Sequence, residues 1–185
     1  SKFGLRENVD HLIVWSDYMK YEAMRFQNYK EKNITIVGVP QFDIYTSIKG
    51  RYTRKSFLDT FGLNPSKKVI LFGNTGIDDT YVIEMLKNWI IQERKPYQIL
   101  VRPYFSHKEV VSAYSRLKDN KNIFIDTSFN RSNFKRGGWD FSKDHHVRLA
   151  LSMQFSDLVI TNISTLILDA IASNNNILCF AFDED

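Results

Sequence analysis

Residues 159–170, VITNISTLILDA, run from an apolar β-branched stretch into Asn162, the hydroxyls of Ser164 and Thr165, and the carboxylate of Asp169. A strand that ends where a helix begins leaves backbone N–H groups free, and such groups bind anions. Hydroxyls add donors there without adding charge. With a helix starting near Ser164, its apolar stripe comprises Ile163, Leu166, Ile167, Ala170 and Ile171. At about 100° per residue, Thr165 and Asp169 then share the opposite side. A carboxylate one turn in suits a sugar hydroxyl beside a phosphate rather than the phosphate itself. The residues equally allow a plainer arrangement, in which Asn162 or Ser164 caps the helix and Asp169 complements its dipole.

Three other segments carry comparable groups. In LFGNTGIDD (71–79), Gly73 and Gly76 allow backbone amides to approach a ligand, and Asn74 and Thr75 supply side-chain donors. The spacing matches neither a P-loop nor a dinucleotide fingerprint, and an ordinary turn with Asp78 as N-cap accounts for it as well. VRPYFSH (101–107) ends an apolar run on Arg102. A guanidinium there either grips a diphosphate or pairs with a loop acid. His145 and His146 open a helical stretch at 143–157; His146 is a candidate for facing the cleft, and plain surface positions account for both equally well. Adjacent histidines point about 100° apart, so they do not form a metal pair, and no metal site is expected. The segment RSNFKRGGW (131–139) reads as a solvated loop or a basic flap.

The elements that would position these loops are visible as periodicities. Apolar runs at 67–73, 97–103, 122–127, 157–161 and 177–182 read as strands. Helical spacing at 78–93, 106–119, about 144–155 and 164–173 alternates with them. That order predicts β-α-β units: an α/β, Rossmann-like parallel sheet with helices on both faces. Ligands in such sheets bind beyond the carboxyl ends of the strands, where all four loops emerge. Upstream, an apolar run at 10–17 precedes a helix at 18–30 and a strand at 33–45 broken at Gly38 and Pro40. Residues 46–66 are basic and turn-rich.

Composition narrows the class. The 185 residues suffice for one domain, or one domain with a fragment of another, and 43% hydrophobic content can build a core. No run approaches the roughly 20 apolar residues of a membrane span, and no signal peptide opens the chain. The single cysteine, Cys179, excludes a disulfide framework and reads as a buried, inert thiol in a reducing cytoplasmic setting. A net charge of +4 suits an anionic ligand, or an anionic membrane surface at the inner face of the cell membrane. No nucleic-acid-binding signature is present.

Taken together, ITIVGVPQFDIY, KKVILFGNTG, LVRP and FSDLVITNISTLILDAIASNNNILCFAFDED resemble the C-terminal lobe of GT-B-fold transferases. The nearest flavour is bacterial surface- and capsule-polysaccharide enzymes, including the CDP-glycerol glycerophosphotransferase-like group. The resemblance spans residues 10–185. It implies that residues 1–50 end an N-terminal lobe and form the interlobe connector, with Gly38 a candidate for facing the cleft. Residues 51–185 would be the nucleotide-binding lobe, truncated at both ends. It further implies that Ser164, Thr165 and Asn162 seat the phosphates of a nucleotide-linked donor. Asp169 would hold a hydroxyl, while Arg102, Gly73, Asn74 and Thr75 complete the cradle. No cofactor is implied, because the nucleotide-diphosphate sugar enters as substrate; the acceptor would be a carbohydrate or a lipid-linked molecule. The glycerophosphotransferase-like group carries RPHP where this chain has Tyr104 after Pro103. That departure favours sugar transfer, with a CDP-polyol phosphotransferase or a UDP-sugar 2-epimerase-like enzyme as alternatives. A non-catalytic α/β binding module stands as a third reading. The catalytic base of such enzymes usually comes from the N-terminal lobe, so no residue of this chain is assigned a catalytic role.

Overall fold

The computed structural model describes residues 9–73, 79–103, 114, 117, 121–126 and 143–181. It divides into two compact units, Ser1–Asp43 and Ile44–Asp185. In the first, β1 (Leu12–Val14) pairs in parallel with β2 (Ile34–Ile36). The helix between them, α1 (Asp17–Phe26), starts at Ser16, whose side chain accepts from the Met19 amide, with Asp17 in the first turn. It stops four residues short of the expected end, and Asn28 turns the chain at φ 58°. Val14, Ala23, Tyr29 and Ile34 form a small core. Beyond β2, the segment expected as a broken strand becomes a 3-10 turn at Pro40–Phe42. Gly38 takes φ +75° there, with open space where a Cβ would sit.

The second unit opens with α2 (Asp43–Ser47), which begins at the unit boundary, and α3 (Arg54–Phe61). α3 lies in the stretch expected to be basic and turn-rich. Thr53 and Ser56 form a reciprocal capping box, and Gly62 closes the helix at φ 67°. Then come β3 (Lys68–Gly73), α4 (Thr80–Gln92), β4 (Tyr97–Arg102), β5 (Ile123–Ile125), α5 (Lys143–Phe155), β6 (Leu158–Thr161), α6 (Leu166–Ala172) and β7 (Ile177–Cys179). The helix expected at 106–119 and the loop at 128–143 fall almost entirely outside the described residues.

The five later strands form one parallel sheet in the order β5-β4-β3-β6-β7. By the right-handed crossover rule, a connection running from β3 to β4 and ones running back toward β6 and β7 lay their helices on opposite faces of such a sheet. Ile70 and Phe72 of β3 pack with Val82, Ile83 and Ile90 of α4 and with Ile99 and Val101 of β4. Val69 and Leu71 alternate to the opposite side and are equally buried. The sheet is therefore the expected α/β, Rossmann-like one, apolar on both faces. Buried Gln98 on β4 receives the Asn64 amide at 2.9 Å and donates to the Asn64 carbonyl at 2.8 Å, clamping the approach to β3. Arg54 ties α3 to the same layer, donating to the Phe155 carbonyl and, at 2.7 Å, to Asp157.

Cys179 departs from expectation. It is exposed, because β7 pairs only with β6 among the described residues and turns Leu178 and Cys179 outward.

Candidate functional site

Strand order reverses between β3 and β6. The chain leaves β3 toward β4 and β5, then crosses back to β6 and β7. At such a switch point the two outgoing loops diverge and leave a crevice at the carboxyl edge. Gly73 and Thr161 are register partners there. A Cβ built on Gly73 would lie 2.3 Å from Leu166 Cδ1, so the first residue of α6 packs where Gly73 has no side chain. The atom met is the end of a rotatable side chain, so Gly73→Ala should cost no more than about 1 kcal/mol, the low end for overpacking. Urea titration reads this, and Leu166→Ala in the same chain should remove most of the added penalty.

Thr161 is fully buried, and its Oγ1 lies 3.1 Å from the Gly73 carbonyl and 3.0 Å from Ser164 Oγ. The Leu166 amide donates to Ser164 Oγ at 3.3 Å. α6 thus starts two residues later than the sequence suggests. Thr165 occupies the N-cap position with helical φ and ψ and makes no capping bond with its side chain. Ile163 and Ile171 are exposed, so the continuous apolar stripe expected of this helix does not form. The late start changes which residues of the turn face the sheet.

A second group of charges lies at the carboxyl ends of β4 and β5. The Arg102 guanidinium, buried at the end of β4, donates from Nη1 to Asp126 Oδ2 at 2.6 Å. The Arg148 guanidinium on α5 donates to the other oxygen, Oδ1, at 3.0 Å. It also stacks over the Phe61 ring at 4.4 Å. Arg102 Nη2 approaches both ring nitrogens of His145, at 3.2 and 3.3 Å. Because a guanidinium only donates, the nitrogen it meets accepts. The His146 ring packs edge-on against His145 at 5.5 Å. Burial pulls the Arg102 pKa down, and the Asp126 carboxylate opposes that pull.

Asp169 accepts a 2.7 Å hydrogen bond from the Tyr45 hydroxyl of α2. Burial raises the Asp169 pKa, while the Tyr45 bond and the charges of Arg102 and His146 act in the opposite direction. Burial, then the Asp169 charge, raises the Tyr45 phenol pKa far above its usual value, so Tyr45 stays protonated and donates.

Of the residues singled out in the sequence, Gly73, Asn162, Ser164 and Thr165 lie at the switch point. Arg102, Asp169 and His146 interact electrostatically beside it. Gly38 belongs to the first unit, and Asn74 and Thr75 lie outside the described residues. Sequence reasoning did not name Asp126, Arg148, Tyr45 or Thr161. Asp126 and Thr161 carried the same signal as Arg102, a polar residue closing an apolar run. Tyr45 carried none. Among the described residues no group of three or more His, Cys, Asp or Glu side chains could hold a metal. Among them, too, no helix is long and apolar enough to cross a membrane.

Comparison with solved structures gives a wall teichoic acid polymerase TagF at 22% identity and TM-score 0.61, covering 93% of this chain and 39% of that one. The UDP-GlcNAc 2-epimerase of Methanocaldococcus jannaschii matches at 15% identity and TM-score 0.55, covering 92% and 45%. That of Neisseria meningitidis matches at 12% and 0.56, covering 88% and 41%. These likenesses establish a shared GT-B-like fold, of which this chain spans about two fifths of each relative's length. Comparison with curated proteins returned no match. The family described as CDP-Glycerol:Poly(glycerophosphate) glycerophosphotransferase matches residues 4–185. That match falls on the phosphopolyol alternative, against the preference for sugar transfer drawn from Tyr104. With nearly its whole length accounted for in this way, the chain belongs to the CDP-glycerol:poly(glycerophosphate) glycerophosphotransferase family.

Proposed function

We propose that this chain is the donor-binding part of a transferase that takes glycerophosphate from CDP-glycerol and passes it to a growing poly(glycerophosphate). In such a reaction an acceptor hydroxyl oxygen attacks the phosphorus bearing glycerol. A new P–O bond forms as the bond to CMP breaks, the acceptor loses its proton, and CMP leaves with the electron pair. Negative charge grows on the leaving phosphate, so the protein's task is to hold cations and donors against it.

The observation that carries this reading is the pair of guanidiniums gathered at the carboxyl ends of β4 and β5. Arg102 and Arg148 share the carboxylate of Asp126, and Asp169 is a further acid that feels the Arg102 charge. Arg102 and Arg148 would face the diphosphate. Asn162, the Thr165 hydroxyl and the backbone amides following β6 would donate to it, with the loop after Gly73, including Asn74 and Thr75, closing the cradle. Asp169, held by Tyr45 and near His146, would accept from a hydroxyl of the ribose or glycerol. In the same reading residues 1–50 finish an N-terminal lobe and lead into the donor lobe at 51–185. The product would be a cell-surface polymer built on a lipid-linked acceptor at the cytoplasmic membrane face.

Calorimetry tests the donor assignment. CDP should bind with a dissociation constant on the order of micromolar, and UDP and GDP at least about tenfold more weakly. Thr165→Ala should weaken CDP about tenfold, the loss of one hydrogen bond to a charged group. Equal affinity for the three diphosphates, or preference for UDP with transfer from a UDP-sugar, would replace this reading with sugar transfer. Absence of nucleotide binding would support a non-catalytic module.

A further inference from the structure

The hydroxyls of Thr161 and Ser164 can be assigned donor and acceptor roles from their partners alone. The Gly73 carbonyl cannot donate, so the 3.1 Å bond is made by the Thr161 proton. With that proton committed, the 3.0 Å contact to Ser164 requires Ser164 to donate into Thr161 Oγ1. Ser164 Oγ then has only lone pairs left, and one of them receives the Leu166 amide at 3.3 Å. The result is a directed chain: Leu166 N–H to Ser164, Ser164 to Thr161, and Thr161 to the Gly73 carbonyl.

This order changes what the turn can offer a ligand. A serine with its proton spent inward presents an acceptor outward, and an acceptor repels phosphate oxygens. Thr165, by contrast, is exposed and makes no capping bond with its side chain. The relay also links β3, β6 and the first residue of α6. Leu166 is pinned a second time, by the packing of its side chain over Gly73.

We propose that Thr161 is a positioning residue for the donor site: through Ser164 it fixes the turn at 162–165, leaving Thr165 as the hydroxyl that reaches the ligand. Its geometry stands independently, and its consequence for binding rests on the donor-site reading. Ser164 then serves as a strut in the chain rather than as a phosphate ligand.

Two measurements separate the relay from that reading. Without ligand, amide exchange at Leu166 should quicken about tenfold in Thr161→Val, which keeps the shape and loses the hydroxyl. Thr161→Ser should restore it, and the Val159 and Ile160 amides should keep wild-type protection in both variants. With CDP as probe, Thr161→Val and Ser164→Ala should each bind about tenfold more weakly, and the double variant no more weakly than either one. Thr161→Ser should return affinity to within about twofold of wild type. Unchanged Leu166 exchange in Thr161→Val overturns the relay whatever CDP does. So does an additive double variant, which would mean that Ser164 contacts the ligand directly. A wild-type protein that ignores CDP yet shows the predicted exchange pattern keeps the relay and removes the donor assignment.

Discussion

Asp126→Ala should destabilise the second unit by about 3–5 kcal/mol, the cost of breaking a buried ion pair from one side. The carboxylate is 1% exposed and both its oxygens are occupied by guanidiniums. Removing it leaves the buried Arg102 charge beside Arg148 of like sign, without the carboxylate that bridges them. Arginine cannot escape by losing its proton, since a guanidinium stays protonated throughout the range in which proteins fold. Against a typical domain stability of about 5–15 kcal/mol, such a loss brings the protein close to unfolding. Asp126→Asn keeps the shape and one acceptor and should cost less. Replacing Arg102 and Asp126 together with Met and Leu should recover most of the stability, because the pair contributes less than its half-broken state costs. Urea denaturation followed by circular dichroism reads all three. A loss below about 1 kcal/mol in Asp126→Ala would mean that the network is solvated and of little structural weight.

Asp169→Asn should separate stability from function. Burial is the largest influence on this carboxyl and raises its folded pKa above the unfolded value. The native state therefore holds its proton more tightly than the unfolded state. As pH climbs through the interval between the two pKa values, stability falls, and it stays lower above that interval. An amide does not titrate, and its oxygen can still accept from Tyr45. The variant should thus be as stable as wild type or more so at pH 7, by up to about 1 kcal/mol. That advantage should vanish when the pH is lowered below the carboxyl's unfolded range. Binding of CDP-glycerol should meanwhile weaken between about ten- and a hundredfold, as expected when an ionised acceptor is lost. Thermal melts across pH, paired with calorimetry of CDP-glycerol binding, check both halves. Loss of stability at pH 7 would show that the carboxylate helps the fold, contrary to the direction given by its burial.

The sheet is legible in the sequence because its strands are short, continuous apolar runs, and such runs alternating with helices fit little besides a parallel sheet covered on both faces. The register of Gly73 opposite Thr161 is not, since it depends on crossover topology rather than on either run alone. α3 is hidden because its cap pairs Thr53 with Ser56 instead of the more familiar acidic partner, within a stretch dense in Lys and Arg. The start of α6 differs by two residues from its expected place because Ser164 and Thr165 are both acceptable caps. The backbone adopts a hydroxyl chain anchored on Thr161 instead. Arg102 stands out as a charge ending an apolar strand. Its partner Asp126 ends the next strand in the same way, but an acid does not advertise itself as a phosphate contact. Tyr45 lies 124 residues from Asp169 in sequence, and no local pattern encodes a contact at that distance. The exposure of Cys179 is equally hidden, because an apolar run does not reveal which strand will lie at the sheet's edge.

The most direct test of the donor site is a map of backbone amide chemical-shift changes as CDP is titrated into the protein. Shifts clustered at Gly73, Arg102, Thr161–Thr165 and Asp169, weakened together in Thr165→Ala, are the predicted result. Shifts confined to the outer face of α4, around Tyr81, Met85 and Trp89, with the carboxyl edge silent, would contradict it.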